Sequence, residues 1–224
     1  MQMTLPNILT ILRLLASPGM ALCFLLLPRP AADAAALALF VLASLTDYVD
    51  GQLARAWNQV SKLGAMLDPI ADKAMVVIAL MVLAHVSSLS EALILPAALI
   101  LFREVFVSGL REYLGETAGL LKVTKLAKWK TTAQMVAIAV LLVQGLAEQY
   151  LGAALFGLDN GMVEGMLTGE HADEAGLRGL FLIHDLAGWA GLALIWIAAA
   201  LTVITGADYF LKARPHLRDD DSAG

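Results

Sequence analysis

The chain has little of what most soluble enzymes depend on. Of its 224 residues, one is cysteine, four are histidine and only 16% are charged. Cys23 has no partner within the chain, which excludes an intramolecular disulfide and a cysteine-based metal site. His85, His171, His184 and His216 are scattered and offer no ligand pair at helical spacing. A formal net charge of -5 argues against a basic nucleic-acid binder. The first twelve residues contain no Lys or Arg, and the apolar stretch after them outruns a secretory h-region. The first span is therefore read as retained rather than cleaved, although Ala31-Ala32-Asp33-Ala34 resembles a cleavage site.

What the chain does have is apolar length. It is 59% hydrophobic, with a mean hydropathy of +0.75, and its long apolar runs mark an integral membrane protein. Lipid cannot satisfy open backbone groups, so an all-α membrane fold is expected. Six transmembrane helices are expected at about 9–27, 34–56, 68–88, 91–111, 130–147 and 187–210. Residues 1–212 read as one membrane domain and residues 213–224 as a polar C-terminal tail. In the six-span reading, Arg29 and Arg178 alone among the fifteen Lys and Arg fall on the far side. The positive-inside rule then places both termini in the cytoplasm. The acidic, glycine-containing stretch 148–186 reads as an outer insertion, a surface loop with a short interfacial helix.

Four aspartates lie against this apolar background: Asp47-Tyr-Val-Asp50-Gly51-Gln-Leu-Ala54-Arg55, then eight residues, then Gly64-Ala-Met-Leu-Asp68-Pro-Ile-Ala-Asp72. An ionisable group inside a membrane segment costs about 2.5–3.5 kcal/mol on insertion scales, so a compensating cation is required. Residues three and four apart subtend about 300° and 400° on a helix, so Asp47 and Asp50 share a face, as do Asp68 and Asp72. Gly64 joins the second pair if its helix starts early. Consecutive antiparallel helices would bring all four carboxylates to one cavity on the cytoplasmic side. Carboxylates without His or Cys suit hard cations, Mg²⁺ or Mn²⁺, and four can hold two ions, a common device in phosphoryl chemistry. Gly51, Ala54 and Gly64 permit close approach, and Arg55 supplies a fixed positive charge. The competing readings are a structural ion-pair network, acids lining a proton path, and the ion site of a cation transporter.

The stretch Asp47–Asp72 resembles the signature of the CDP-alcohol phosphatidyltransferases, D-x2-D-G-x2-A-R-x8-G-x3-D-x3-D, at every fixed position. That resemblance implies a six-helix membrane enzyme, usually a homodimer, which moves a phosphatidyl group from CDP-diacylglycerol to an alcohol and releases CMP. It implies that Asp47, Asp50 and Asp68 are metal ligands, with Asp72 close to the metals and acting as general base. It also implies that Gly51, Ala54, Arg55 and Gly64 line the CDP site.

The acceptor is indicated by three further segments. Residues 101–116 contain Arg103-Glu104 and Ser108-Gly-Leu-Arg111-Glu112, and residues 122–134 contain Lys128-Trp-Lys130-Thr131-Thr-Ala-Gln134. These, and the opening Pro6-Asn7-Ile-Leu-Thr10-Ile-Leu-Arg13, resemble segments of the phosphatidylglycerophosphate synthase branch of that family. The implied acceptor is sn-glycerol 3-phosphate, a dianion that needs a basic cradle. Arg103, Arg111, Lys128 and Lys130, with Lys125, are candidates for it. Charge asymmetry or contact with anionic lipid is the competing explanation, favoured for Lys122 and Lys125 but not for Arg103 and Arg111. Glu104 and Glu112 are expected to orient the two arginines. Asn7, Thr10 and Arg13 are expected to approach the nucleotide from an interfacial segment, although Thr and Asn also serve as caps. A sibling enzyme acting on phosphatidylglycerol, serine or inositol phosphate is the nearest alternative.

Overall fold

The computed structural model describes residues 4–56, 61–120 and 125–217, and the side chains at 48–56, 118, 120, 125, 127 and 128 lie outside the described set. Every regular element among the described residues is helical. Helix α1 (Leu5–Leu26) starts on Pro6, whose missing N–H is harmless in a first turn. Pro28 and Pro30 fill the turn to α2 (Ala31–Ala56). Ser61 caps α3 (Lys62–Val86), its hydroxyl accepting from the Gly64 N–H at 2.9 Å. Helix α4 (Ser90–Leu114) stops at Gly115, which has φ +51°. Helix α5 (Lys125–Leu155), the short α6 (Asn160–Thr168) and α7 (Leu177–Ala213) complete the chain.

Contacts fix the alternation of the long helices. Asn7 meets Ser61 and Arg13 meets Asp47 at one end, whereas Arg29 meets the Val86 carbonyl at the other. The core between them is apolar: Phe40, Met75, Leu83, Ile100, Ile138, Leu141 and Ile195 are buried. Helix α7 presses closely on α5, where a Cβ added at Gly191 would stand 2.7 Å from the Leu141 side chain. Leu25, Phe102, Val105 and Trp189 point outward, as expected of side chains that meet lipid.

Two expectations are corrected. Among the described residues, five helices, not six, are long and apolar enough to cross a membrane, and α2 is not one of them. Its apolar stretch is confined to residues 34–46 between Asp33 and Asp47. At 1.5 Å per residue this covers about 20 Å of the roughly 30 Å hydrocarbon core. The helix itself nevertheless runs from the Arg29 end of the bundle to the Arg13 end and returns the chain to the side from which α1 sets out. The stretch 148–186 holds the expected short helix, α6, but less loop than expected, since α5 runs on to Leu155 and α7 begins at Leu177. The polar residues near these helix ends pair with one another. Fully buried Gln144 reaches Glu148 at 3.2 Å and His184 at 3.1 Å, and Ser88 donates to Glu148 at 2.9 Å. His184 also meets Asp185 at 2.9 Å.

Candidate active site

The site is built on a polar stripe of α1. Asn7, Thr10, Arg13 and Ser17 recur every three or four residues, share one helix face and are all buried. A membrane helix can bury such a stripe only where neighbouring elements supply partners. Ser61 donates to Asn7 Oδ1 at 2.6 Å. Thr10 Oγ1 lies 2.8 Å from Asp68 Oδ1 and 3.0 Å from the Pro6 carbonyl, so its one proton serves either. Arg13 Nη1 donates to Asp72 Oδ1 at 2.7 Å and also to Asp47 Oδ1. The Arg13 side chain is 0% exposed, while Asp47 and Asp72 are 47% and 52% exposed. A fully buried guanidinium thus anchors two carboxylates that remain open on their other side.

The early start of α3 places Gly64, Asp68 and Asp72 on one face at intervals of four. Gly64 has a structural reason for its size. A Cβ there would lie 3.0 Å from Asn7 Oδ1 and 3.2 Å from Ser61 Oγ, disturbing the cap that starts the helix. The structure therefore brings together Asp47, Asp68, Asp72, Gly64, Asn7 and Thr10. Asp50, Gly51, Ala54, Arg55 and Lys128 lie outside the residues whose side chains are described.

The residue whose weight was underestimated is Arg13. It had been expected only to approach the nucleotide, yet it ties α1 to both carboxylate-bearing helices. Its signal is the polar spacing 7, 10, 13, 17 on an otherwise apolar helix. Asp47 and Asp72 share this cation and Asp68 meets the neighbouring Thr10, so among the described side chains of this group negative charge is in excess. The all-oxygen donor set and the half-exposed Asp47 and Asp72 fit a hard divalent cation. Among the described residues, no three acidic, His or Cys side chains are gathered tightly enough to hold an ion by themselves.

A second polar group lies between α3, α4 and α5. Glu104 accepts from Lys130 and, at 3.2 Å, from Arg103. Lys73 donates to Ser108 Oγ at 2.5 Å, and Ser108 donates to the Glu104 carbonyl. Lys130 is thus engaged by Glu104, and Glu104 orients Arg103 as expected. Arg111 does not join this group. It is exposed two turns further along α4, with its guanidinium carbon 6.0 Å from the centre of the Tyr209 ring. A cleft of about 650 Å³ lined by Tyr150, Ala154, Gly179 and Ile183 lies at the opposite end of the bundle, remote from both groups.

Known proteins match this arrangement over most of its length. The family profile described as CDP-alcohol phosphatidyltransferase matches residues 3–160. The chain belongs to the CDP-alcohol phosphatidyltransferase family. A protein of Cereibacter sphaeroides named CDP-diacylglycerol–glycerol-3-phosphate 3-phosphatidyltransferase is 59% identical over 220 residues, covering 98% of this chain and 100% of the relative. A protein of the same name from Rickettsia bellii is 39% identical, over 95% of this chain and 96% of its own. Another, from Shigella flexneri, is 43% identical over 70% of this chain and 86% of its own. As a member of this family with five apolar spans among the described residues, the chain is a multi-pass membrane phosphatidyltransferase. The family match ends at residue 160, where α6 begins, whereas the matches to the Cereibacter and Rickettsia relatives cover 98% and 95% of this chain.

Proposed function

We propose that this protein transfers the phosphatidyl group of CDP-diacylglycerol to sn-glycerol 3-phosphate, giving phosphatidylglycerol phosphate and CMP. The observation that carries this reading is the 59% identity to the Cereibacter sphaeroides relative of that name, over the whole of the relative's length. The carboxylate and cation groups described above support it chemically.

The acceptor's hydroxyl oxygen attacks the β-phosphorus. A new P–O bond forms, the bond to the CMP phosphate breaks, and CMP leaves with the electron pair. Asp72 is the proposed base that takes the hydroxyl proton, and Arg13 fixes the direction of its carboxylate. Asp47, Asp50, Asp68 and Asp72 would hold Mg²⁺ or Mn²⁺, as two ions. When bound, these ions neutralise the pyrophosphate and polarise phosphorus. Asn7, Thr10, Gly51, Ala54, Arg55 and Gly64 are the proposed CDP side. Arg103, Arg111, Lys128 and Lys130 are the proposed acceptor side, where a guanidinium grips phosphate in a fork and a lysine acts as a point charge. The distribution of basic residues supports a bacterial inner-membrane protein with the site and both termini on the cytoplasmic face. Two copies would form a homodimer.

The test is CMP release by the purified chain with CDP-diacylglycerol and Mg²⁺. Release should require glycerol 3-phosphate and fall at least a hundredfold in Asp72→Asn, the loss expected on removing a general base. Release with serine or inositol phosphate but not glycerol 3-phosphate would refute the acceptor. No release with any alcohol would refute the reaction.

A further inference from the structure

Glycine in a helix interior is less favourable than alanine, so a buried one usually marks a close approach. Gly206 is buried near the end of α7, and the atoms it faces belong to Arg103. A Cβ at position 206 would lie 2.9 Å from Arg103 Cγ, 3.7 Å from Nε and 4.0 Å from Cδ. Cγ belongs to the fixed stem of the arginine, not its mobile end. Relieving that contact requires rotation near the backbone, and such a rotation carries the guanidinium away with it.

The guanidinium has a defined destination. Arg103 and Lys130 converge on Glu104, and Lys73 reaches the same turn through Ser108. Three cations around one carboxylate leave positive charge in excess at a site largely shielded from solvent, where an anion would be bound. Polar atoms on the facing elements are also unused. Arg103 Nε is buried without a hydrogen-bond partner, and so are Gln134 Oε1, one turn beyond Lys130, and Thr202 Oγ1, one turn before Gly206. Buried polar groups rarely stay unpaired, so these atoms also point to a bound polar ligand.

We propose that Gly206 is a positioning residue for acceptor recognition: its lack of a side chain lets the Arg103 stem lie against α7, directing the guanidinium into the Glu104–Lys130 cluster where the acceptor phosphate binds. This rests on the proposed use of a phosphorylated acceptor. Gly206 touches no substrate and acts only through Arg103.

The experiment is a double-mutant cycle on the purified full chain, read as CMP release from CDP-diacylglycerol in detergent micelles. Gly206→Ala should raise the KM for glycerol 3-phosphate at least tenfold, with the KM for CDP-diacylglycerol unchanged. In an Arg103→Ala background, Gly206→Ala should change neither by as much as twofold, because the atoms it displaces are gone. Equal effects in the two backgrounds, or equal rises in both KM values, would overturn the proposal. If Gly206→Ala alone fails to fold, the double variant, which lacks the clash, should fold as Arg103→Ala does, and its failure to do so would also overturn it. A wild-type chain inert toward glycerol 3-phosphate would instead sink the proposed function, and this inference with it. A wild-type chain that responds while Gly206→Ala matches it would sink this inference alone.

Discussion

Replacing Arg13 by alanine tests the centre of the carboxylate site. The side chain is 0% exposed and bridges Asp47 and Asp72, so its removal leaves two like charges facing a void. Breaking a fully buried pair costs about 3–5 kcal/mol. Here the two carboxylates are about half exposed, and solvent screens what remains, so about 2 kcal/mol is the reasonable figure. For a chain of this size that lowers the Tm by roughly 4–8 °C. The variant also has one cation fewer among its acids, so a divalent cation should restore more stability to it than to the wild type. The assay is thermal unfolding in detergent with EDTA and then with rising Mg²⁺, for wild type, Arg13→Ala, Arg13→Lys and an exposed control, Lys62→Ala. Arg13→Lys keeps the charge but loses the fork, and should fall between. The gap between Arg13→Ala and wild type should narrow as Mg²⁺ rises, while CMP release stays low because Asp72 has lost the group that directs it. An Arg13→Ala protein with wild-type Tm in EDTA, or one whose deficit is indifferent to Mg²⁺, would refute the reasoning.

Two further predictions concern other charged groups. Glu104→Gln removes the carboxylate shared by Lys130 and Arg103, so it should destabilise the fold by about 3 kcal/mol, whereas Glu104→Leu with Lys130→Met should recover most of that stability but not activity toward glycerol 3-phosphate; chemical denaturation and CMP release check both. Asp173 accepts the backbone N–H of Arg178 at 3.0 Å and of Leu177 at 2.6 Å, and those bonds, the Arg178 one foremost, hold its carboxyl below the usual carboxylate range. A lowered folded-state pKa gives stability that is present above the ordinary carboxylate pKa and is lost as pH falls through the folded value. The protection of amides at the start of α7, taken relative to intrinsic exchange at each pH, should therefore fall on acidification below about pH 4, and Asp173→Asn should abolish that loss.

How far the sequence could be read follows from what kind of signal each feature leaves. Helical class was legible because hydropathy is summed over some twenty residues and survives local errors. The pairing of Asp68 and Asp72 on one face was legible because spacing alone dictates it. The number of apolar spans was not, because α2 places an acid at each end of a short apolar stretch and its status turns on those two residues. The extensions of α5 and α7 were hidden for a related reason. Glu148 and His184 look like loop residues until the buried Gln144 between them shows that they pair across α5 and α7. Residue types suggested a single cradle for Arg103 and Arg111. In the structure Arg103 turns to Glu104, whereas Arg111, about two helical turns or 12 Å further along α4, lies over the Tyr209 ring.

Asp72 and Lys73 explain how the two polar groups can serve one reaction. Consecutive residues on a helix point about 100° apart. Asp72 therefore turns toward Arg13 on α1, while Lys73 turns toward Ser108 on α4. A carboxylate proposed to take a proton and a cation in the proposed acceptor site are thus mounted side by side on a single turn of α3. Helix α3 is rigid and capped by Ser61, so the offset between the two groups is set by backbone geometry rather than by flexible side chains. An acceptor whose phosphate lies on the α4 side would then present its hydroxyl toward Asp72 with little further ordering, and such positioning lowers a transfer barrier without new chemistry. Inserting one residue between Asp72 and Lys73 would rotate everything that follows by about 100°. That change should abolish CMP release even though every side chain in both groups remains present. Retained activity would show that the two groups work independently.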